Sequence, residues 1–189
     1  MKREIIDLAS YRAARLGTTE DIIPQGIITR IEQEVRIATG VQFSPKSRQI
    51  IVAAEEEAIA FNQPYVGTEH LLLALLREEF FSEQFRFVGI NRELMERILL
   101  NHGQKSDQPT KLRGYTNRLT EIAMRRADIA QERSMHYRKI IAVEWPLGLL
   151  NRSDGIGVDL MHRTGLDTWR DQEAFLLRQR LSAEFAKPE

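Results

Sequence analysis

Apolar residues recur along this chain three and four positions apart, which is the spacing of amphipathic helices. One helix is predicted to begin at Ser44-Pro45, and its apolar face comprises Ile50, Ile51, Ala54, Ala58 and Phe61. A second helix is predicted from the Gly67-Thr68-Glu69-His70 segment through the leucine-rich residues 71–76. No stretch alternates apolar and polar residues as a strand would, so the pattern predicts an all-α fold.

A weaker copy of this pattern follows in the second half of the chain. Tyr115 and Thr116 occupy the positions of Phe43 and Ser44, 72 residues later, and the matching apolar residues are Ile122, Ala123 and Ala130. Glu144 follows Glu69 by 75 residues, so small insertions fall between the helices. The chain is therefore predicted to hold two pseudo-symmetric units of roughly four helices each, about eight helices that share one core.

Turn and cap residues set the predicted boundaries. Residues 1–40 are predicted to be a partly helical N-terminal extension, with a second short helix that ends near Gly40. Residues 41–104 form the first repeat, 105–111 a linker and 112–185 the second repeat, and the two repeats make one domain. Ser44 and Thr68 are expected to cap helices, and Glu69 suits the positive end of its helix dipole.

Composition limits the class of partner. The 189 residues include 27 basic and 27 acidic side chains, so no overall field favours nucleic acid or an anionic membrane. There is no cysteine, which excludes disulfides and thiolate metal sites and fits a reducing compartment. The N-terminus lacks a signal-peptide pattern and no apolar run is long enough to span a membrane. A cytoplasmic protein is predicted.

The first unit resembles the Clp N-domain repeat that lies at the front of Clp-type AAA+ unfoldases such as ClpC, ClpA and ClpB. The resemblance rests on the aromatic and cap residues Phe43-Ser44, the helix with Ile50 and Ile51, and the uninterrupted sequence from Gly67 to Leu76. The second unit matches more thinly, through Tyr115, Thr116, Arg118, Ile122, Ala130, Glu144, Leu147, Leu150 and Arg152. The two units together correspond to a complete double-repeat N-domain.

This resemblance implies a binding function instead of a reaction. The sequence has no phosphate-binding loop of the Gly-x-x-x-x-Gly-Lys-Ser/Thr type, so an N-domain without its ATPase module is expected. In the family, the domain receives substrates and adaptor proteins. The chain is thus expected to be a non-enzymatic bacterial adaptor or regulator of Clp-type proteolysis, with no cofactor. Its partners would be proteins or peptides, namely a Clp ATPase, its substrates or its adaptors, and not nucleic acid or membrane.

The resemblance also indicates a candidate ligand site. In ClpC-like relatives the acidic residue of the Gly-Thr-Glu-His turn binds the guanidinium of phosphorylated arginine, and the cap of the first helix faces the phosphate. By position, the first site would consist of Ser44, Gly67, Thr68 and Glu69. A second, weaker site would retain Thr116 and Glu144, where Ala142-Val143 and Trp145-Pro146 replace the neighbouring residues.

Several of these side chains have a structural interpretation as well. An alternative to ligand binding is that Glu69 is only an N-terminal charge that stabilises its helix, and His70 is more typical of a packing histidine than of a ligand. The histidines show no metal-ligand spacing, so no metal is predicted. Phe85 is expected in the core and Phe80 at the surface. Solvated helix faces are predicted for Glu55-Glu56-Glu57 and for the basic residues Arg125, Arg126, Arg133, Arg138 and Lys139.

The alternative function is a helical interaction scaffold unrelated to proteolysis. In that case the N-terminal extension, with Tyr11 and Arg15, would dock the partner. Loss of partners on deletion of residues 1–40 would favour the scaffold.

Overall fold

The structure is a computed structural model of the chain, and it describes residues 29–87, 89–101, 111–132 and 139–150, together with 156, 157 and 159. Residues 1–28 of the predicted N-terminal extension, with Tyr11 and Arg15, lie outside the described residues, as do most of the predicted linker and most of residues 151–185 of the predicted second repeat. So do Arg133 and Arg138.

The described residues form seven α-helices and four strands of two residues each. In chain order they are α1 (Arg30–Thr39), β1 (Gln42–Phe43), α2 (Pro45–Ala60), β2 (Tyr65–Val66), α3 (Thr68–Arg77), α4 (Glu79–Phe87), α5 (Arg92–Asn101), β3 (Gly114–Tyr115), α6 (Asn117–Gln131), β4 (Lys139–Ile140) and α7 (Glu144–Leu150). The predicted all-α fold is confirmed, and the short strands are an addition to it.

Local chemistry explains where the long helices begin. The Ser44 hydroxyl accepts a hydrogen bond from the Ser47 amide at 3.1 Å, and Pro45 occupies the first helical position of α2. The Thr116 hydroxyl caps α6 in the same way, accepting from the Leu119 amide at 3.4 Å. These two residues are 72 positions apart, so the caps define the register of the two repeats.

The start of α3 differs from the prediction. Gly67 takes the N-cap position and Thr68 is the first helical residue. The Gly67 amide donates to His70 Nδ1 at 2.9 Å, so the side chain of the third helical residue accepts from the N-cap amide, and the Thr68 hydroxyl does not act as a cap. Thr68 is therefore available for a contact elsewhere.

Helix α1 belongs to the same core as the repeats. Ile31 and Val35 are fully buried, and the Glu32 carboxylate is held by Arg48 of α2 at 2.6 and 2.7 Å. Gly40 ends the helix with a left-handed φ of 74°, and its amide donates to the Arg36 carbonyl. A deletion of residues 1–40 would therefore remove core side chains along with the N-terminal segment.

The two repeats interlock through their strands. β1 pairs in parallel with β4, and β2 pairs in parallel with β3, so that each pair takes one strand from each repeat. Side-chain contacts also join the two repeats, because Trp145 Nε1 donates to Ser47 Oγ at 2.7 Å and the Trp145 ring lies edge-on to Phe43. No helix among the described residues has the length and apolar character needed to cross a bilayer.

The acidic triplet of α2 corrects another prediction. Glu55 and Glu57 are buried, not part of a solvated face, and only Glu56 is partly exposed. Tyr115 of the second repeat donates its hydroxyl to Glu55, and Glu57 is paired with Arg92. Phe85 is buried and Phe80 is exposed, as predicted.

Candidate functional site

Each strand pair brings the starts of two helices together. Val66 is in register with Tyr115, and the Thr116 amide donates to the Val66 carbonyl at 2.9 Å. Helices α3 and α6 therefore begin side by side, and residues 67–69 and 116–118 define what we call the first cleft. On the other pair, the Ser44 amide donates to the Ile140 carbonyl at 2.9 Å. The starts of α2 and α7, residues 44–47 and 142–145, define the second cleft.

This arrangement regroups the candidate residues. Lys46, at the start of α2, is paired with Glu78, just beyond the end of α3, whereas Phe61 at the end of α2 packs against His70. Ser44 and Glu69 therefore lie at opposite ends of the α2–α3 hairpin. The sequence grouped Ser44 with Gly67, Thr68 and Glu69, but the structure places Thr116 beside that turn and Ser44 on the side of Glu144.

Glu69 is the central carboxylate of the first cleft. Its side chain is buried and folds back over Gly67, so that any side chain at position 67 would occupy the space of the carboxylate. Burial raises the pKa of Glu69, while its own backbone N–H, the Thr68 hydroxyl and the positive charge of Arg118 act in the opposite direction. A cation that reaches this carboxylate would offset part of the cost of its burial.

Arg118 is a functional candidate that the sequence reasoning did not select. It lies in the first turn of α6, is exposed, and is close enough to Glu69 to favour the ionised carboxylate. Its only signal in the sequence was its match to the repeat. The first cleft thus combines a carboxylate from one repeat with a guanidinium and a helix N-terminus from the other.

Gly157 packs against the start of α3 at the first cleft. Its amide donates to Thr68 Oγ1 at 3.1 Å, and a Cβ at this position would lie 2.5 Å from the Thr68 carbonyl oxygen. A glycine is therefore needed for this close approach to the first turn of α3. Sequence reasoning missed this contact, because it joins residues 89 positions apart.

His70 has a packing role, as predicted. It is buried, its Nδ1 accepts the Gly67 amide hydrogen, and burial lowers its pKa to about 4. Nδ1 is 3.6 Å from Glu69 Oε1, but a ring nitrogen that accepts an N–H carries no proton, so the two side chains do not form an ion pair. Among the described residues, no group of three or more potential metal ligands occurs.

The second cleft is built differently. Glu144 is buried, and Arg126 Nη1 donates to Glu144 Oε2 at 3.3 Å from the middle of α6. Arg126 was predicted on a solvated face, but it is buried because its guanidinium pairs with this carboxylate. Arg125, its neighbour, is exposed as predicted.

Comparisons with known proteins agree with this fold. The family model described as "Clp repeat (R) N-terminal domain" matches residues 42–147, more than half of the chain. A similar solved structure, titled "Preliminary structural investigations of a malarial protein secretion system", has a TM-score of 0.54 and 18% identity, and covers 72% of this chain and 93% of that one. At that identity the similarity is one of fold.

The curated relatives are much longer proteins. The chain is 22% identical over 130 residues to the Bacillus subtilis "Negative regulator of genetic competence ClpC/MecB", which covers 66% of this chain and 15% of the relative. It is 28% identical over 104 residues to "Chaperone protein ClpC1, chloroplastic" of Arabidopsis thaliana, and the match covers 46% of this chain and 11% of the relative. For "ATP-dependent Clp protease ATP-binding subunit ClpC" of Staphylococcus epidermidis the identity is 26% over 120 residues, and the match covers 61% of this chain and 14% of the relative. The helical double repeat and the family match lead to one conclusion: the chain belongs to the Clp repeat N-terminal domain family.

Proposed function

We propose that this chain is a non-catalytic binding module that recognises substrates or adaptors of a Clp-type chaperone–protease, and that the first cleft is its ligand site. The observation that carries the proposal is the buried Glu69 carboxylate beside Arg118 and the start of α6. A carboxylate on one side of the cleft and a guanidinium on the other are complementary to a ligand that has both a guanidinium and an anionic group. A phosphorylated arginine side chain has both.

Each half of this ligand has a physical counterpart in the cleft. A carboxylate pairs with a guanidinium through two charge-assisted hydrogen bonds, which are stronger than neutral ones. A phosphate is favoured at the start of a helix, where the first amides lack intrahelical partners, and Arg118 adds positive charge at that place. The adaptor or regulator role follows from such recognition, because bound segments would be presented to a Clp ATPase.

Titration calorimetry with phosphoarginine tests the site. We expect saturable binding to the wild-type chain and a loss of at least about tenfold in affinity for Glu69→Gln, since one charge-assisted pair is removed. Glu83→Gln is the matched control because Glu83 is exposed on α4. Equal affinity in Glu69→Gln and wild type, with helical circular dichroism unchanged, would contradict the proposal.

Affinity capture tests the cellular role. The immobilised wild-type chain should retain a Clp ATPase or proteins degraded by one, and free phosphoarginine should release them. Immobilised Glu69→Gln should retain less than wild type. Retention of neither class by the wild-type chain would contradict the adaptor or regulator role.

A further inference from the structure

The two clefts differ in what their carboxylates contact. Glu144 is paired with Arg126, and both side chains are buried. The residue equivalent to Arg126 in α2 is Ala54, because the two are 72 positions apart, like the helix caps Ser44 and Thr116. Helix α2 therefore offers Glu69 no guanidinium, whereas α6 supplies one to Glu144.

The packing around Arg126 accommodates its side chain. Gly148 of α7 faces it, and a Cβ on Gly148 would lie 3.7 Å from Arg126 Cγ and 2.5 Å from Ile122 Cγ2. The equivalent residue of α3 is Leu73, which precedes Gly148 by 75 positions, as Glu69 precedes Glu144. The first repeat thus combines a small Ala54 with a large Leu73, and the second combines a large Arg126 with a small Gly148.

Stability alone does not explain why the second repeat has Arg126 and Gly148 where the first has Ala54 and Leu73. A buried ion pair contributes little net stability compared with apolar side chains of similar volume, because both charges lose their hydration. Arg126 Nε is also buried without a hydrogen-bond partner among the described residues, a further cost. The Arg126–Glu144 pair therefore needs an explanation other than packing stability. Its geometry provides one, because the Arg126 guanidinium binds the carboxylate at the start of α7 where a ligand guanidinium would otherwise bind.

We infer that Arg126 is an internal occupant of the second cleft and closes it to an external guanidinium, so that this chain binds its ligand at the first cleft alone. The ligand class rests on the proposed function. The inference adds a specificity residue, Arg126, and a stoichiometry of one ligand per chain.

Chemical rescue tests the occupant directly. Arg126→Ala removes the guanidinium and leaves Glu144 buried, so millimolar methylguanidinium should raise its thermal midpoint by about 3 °C or more compared with methylammonium. The readout is the helical circular-dichroism melt, which also registers restored folding if the variant is unfolded without the probe. Wild type, the exposed control Arg125→Ala and the double variant Arg126→Ala/Glu144→Gln should show no such difference. An equal response of Arg126→Ala to the two cations would overturn the inference.

Stoichiometry gives a second readout. Phosphoarginine should bind the wild-type chain once, and Glu69→Gln should weaken that binding by at least about tenfold. Two ligands per chain, or binding that is unchanged in Glu69→Gln and lost in Glu144→Gln, would overturn the inference. Complete absence of phosphoarginine binding would contradict the proposed function, while the methylguanidinium rescue would still decide whether Arg126 occupies a guanidinium site.

Discussion

Glu55 illustrates how one buried side chain joins the repeats. Tyr115 donates its hydroxyl to the Glu55 carboxylate, and burial raises the pKa of Glu55 to about 7, with the Tyr115 hydrogen bond acting in the opposite direction. The folded protein therefore holds a proton on Glu55 at pH values where the unfolded chain, with a pKa near 4.5, has released it.

This difference predicts a specific pH dependence. Folded-state protonation contributes stability that is complete below about pH 4.5 and is lost as the pH rises through about 7. Between pH 5 and 8 the wild-type free energy of unfolding should fall by about 2–3 kcal/mol more than that of Glu55→Gln, which cannot titrate. Urea denaturation at both pH values measures it, with Glu83→Gln as the exposed control. Parallel pH profiles for wild type and Glu55→Gln would rule the explanation out.

Single side chains also show which parts of the site were predictable. Ser44 was predicted as a cap because a cap is a local feature, set by a residue and the amides three positions on, and Thr116 was placed by its match to Ser44, whereas the predicted Thr68 cap was wrong by one residue. Gly157, Arg118 and Arg126 act on residues between 18 and 89 positions away, and no local pattern marks such contacts. The pairing of Arg126 with Glu144 is invisible in a sequence where Asp128 and Glu132 follow it closely.

Helix α2 is held in place by charged partners on two other helices. Glu57 is fully buried and accepts hydrogen bonds from Arg92 of α5 at 2.7 and 3.1 Å. Arg77 of α3 also pairs with it. Two helices are thus fixed against α2 through one carboxylate.

We expect Glu57→Gln to lower the free energy of unfolding by about 2–3 kcal/mol, because a buried pair loses its anion and leaves two cations without it. Glu56→Gln is the matched control. The Glu56 carboxylate is partly exposed and Arg77 donates to it at 2.7 Å, so Glu56→Gln should lower the free energy of unfolding by less than about 1 kcal/mol. Equal losses in the two variants, measured by denaturant unfolding, would contradict this assignment.

The helices themselves were largely predictable, and their mutual arrangement was not. Apolar spacing and the punctuation at Gly40, Ser44 and Thr116 indicated α1, α2 and α6, because those signals are contained within each element. The strands are two residues long, too short for any alternation to appear. Since these strands decide which helix starts meet, grouping by repeat joined Ser44 to Glu69 when the fold separates them.

The whole molecule is expected to unfold as one unit. Both strand pairs, the Glu55–Tyr115 contact and the Trp145–Ser47 hydrogen bond cross between the repeats, so neither repeat keeps its core when the other opens. In a Trp169→Phe background, Trp145 is the single tryptophan and reports on the contact between the repeats, because it packs on Phe43 and donates to Ser47. Its fluorescence and the far-ultraviolet circular dichroism should share one denaturation midpoint. A fluorescence midpoint clearly below that of the circular dichroism would show independent repeats.

The proposed ligand cleft is assembled from both repeats, with Glu69 on one side and the start of α6 on the other. A titration of the ¹⁵N-labelled chain with phosphoarginine, followed by amide chemical shifts, tests it most directly. We predict that the amides of Thr68 and Glu69 shift together with those of Asn117 and Arg118, while those of Ser44 and Ser47 stay in place. Shifts confined to Ser44 and Ser47, or no shifts at all, would contradict it.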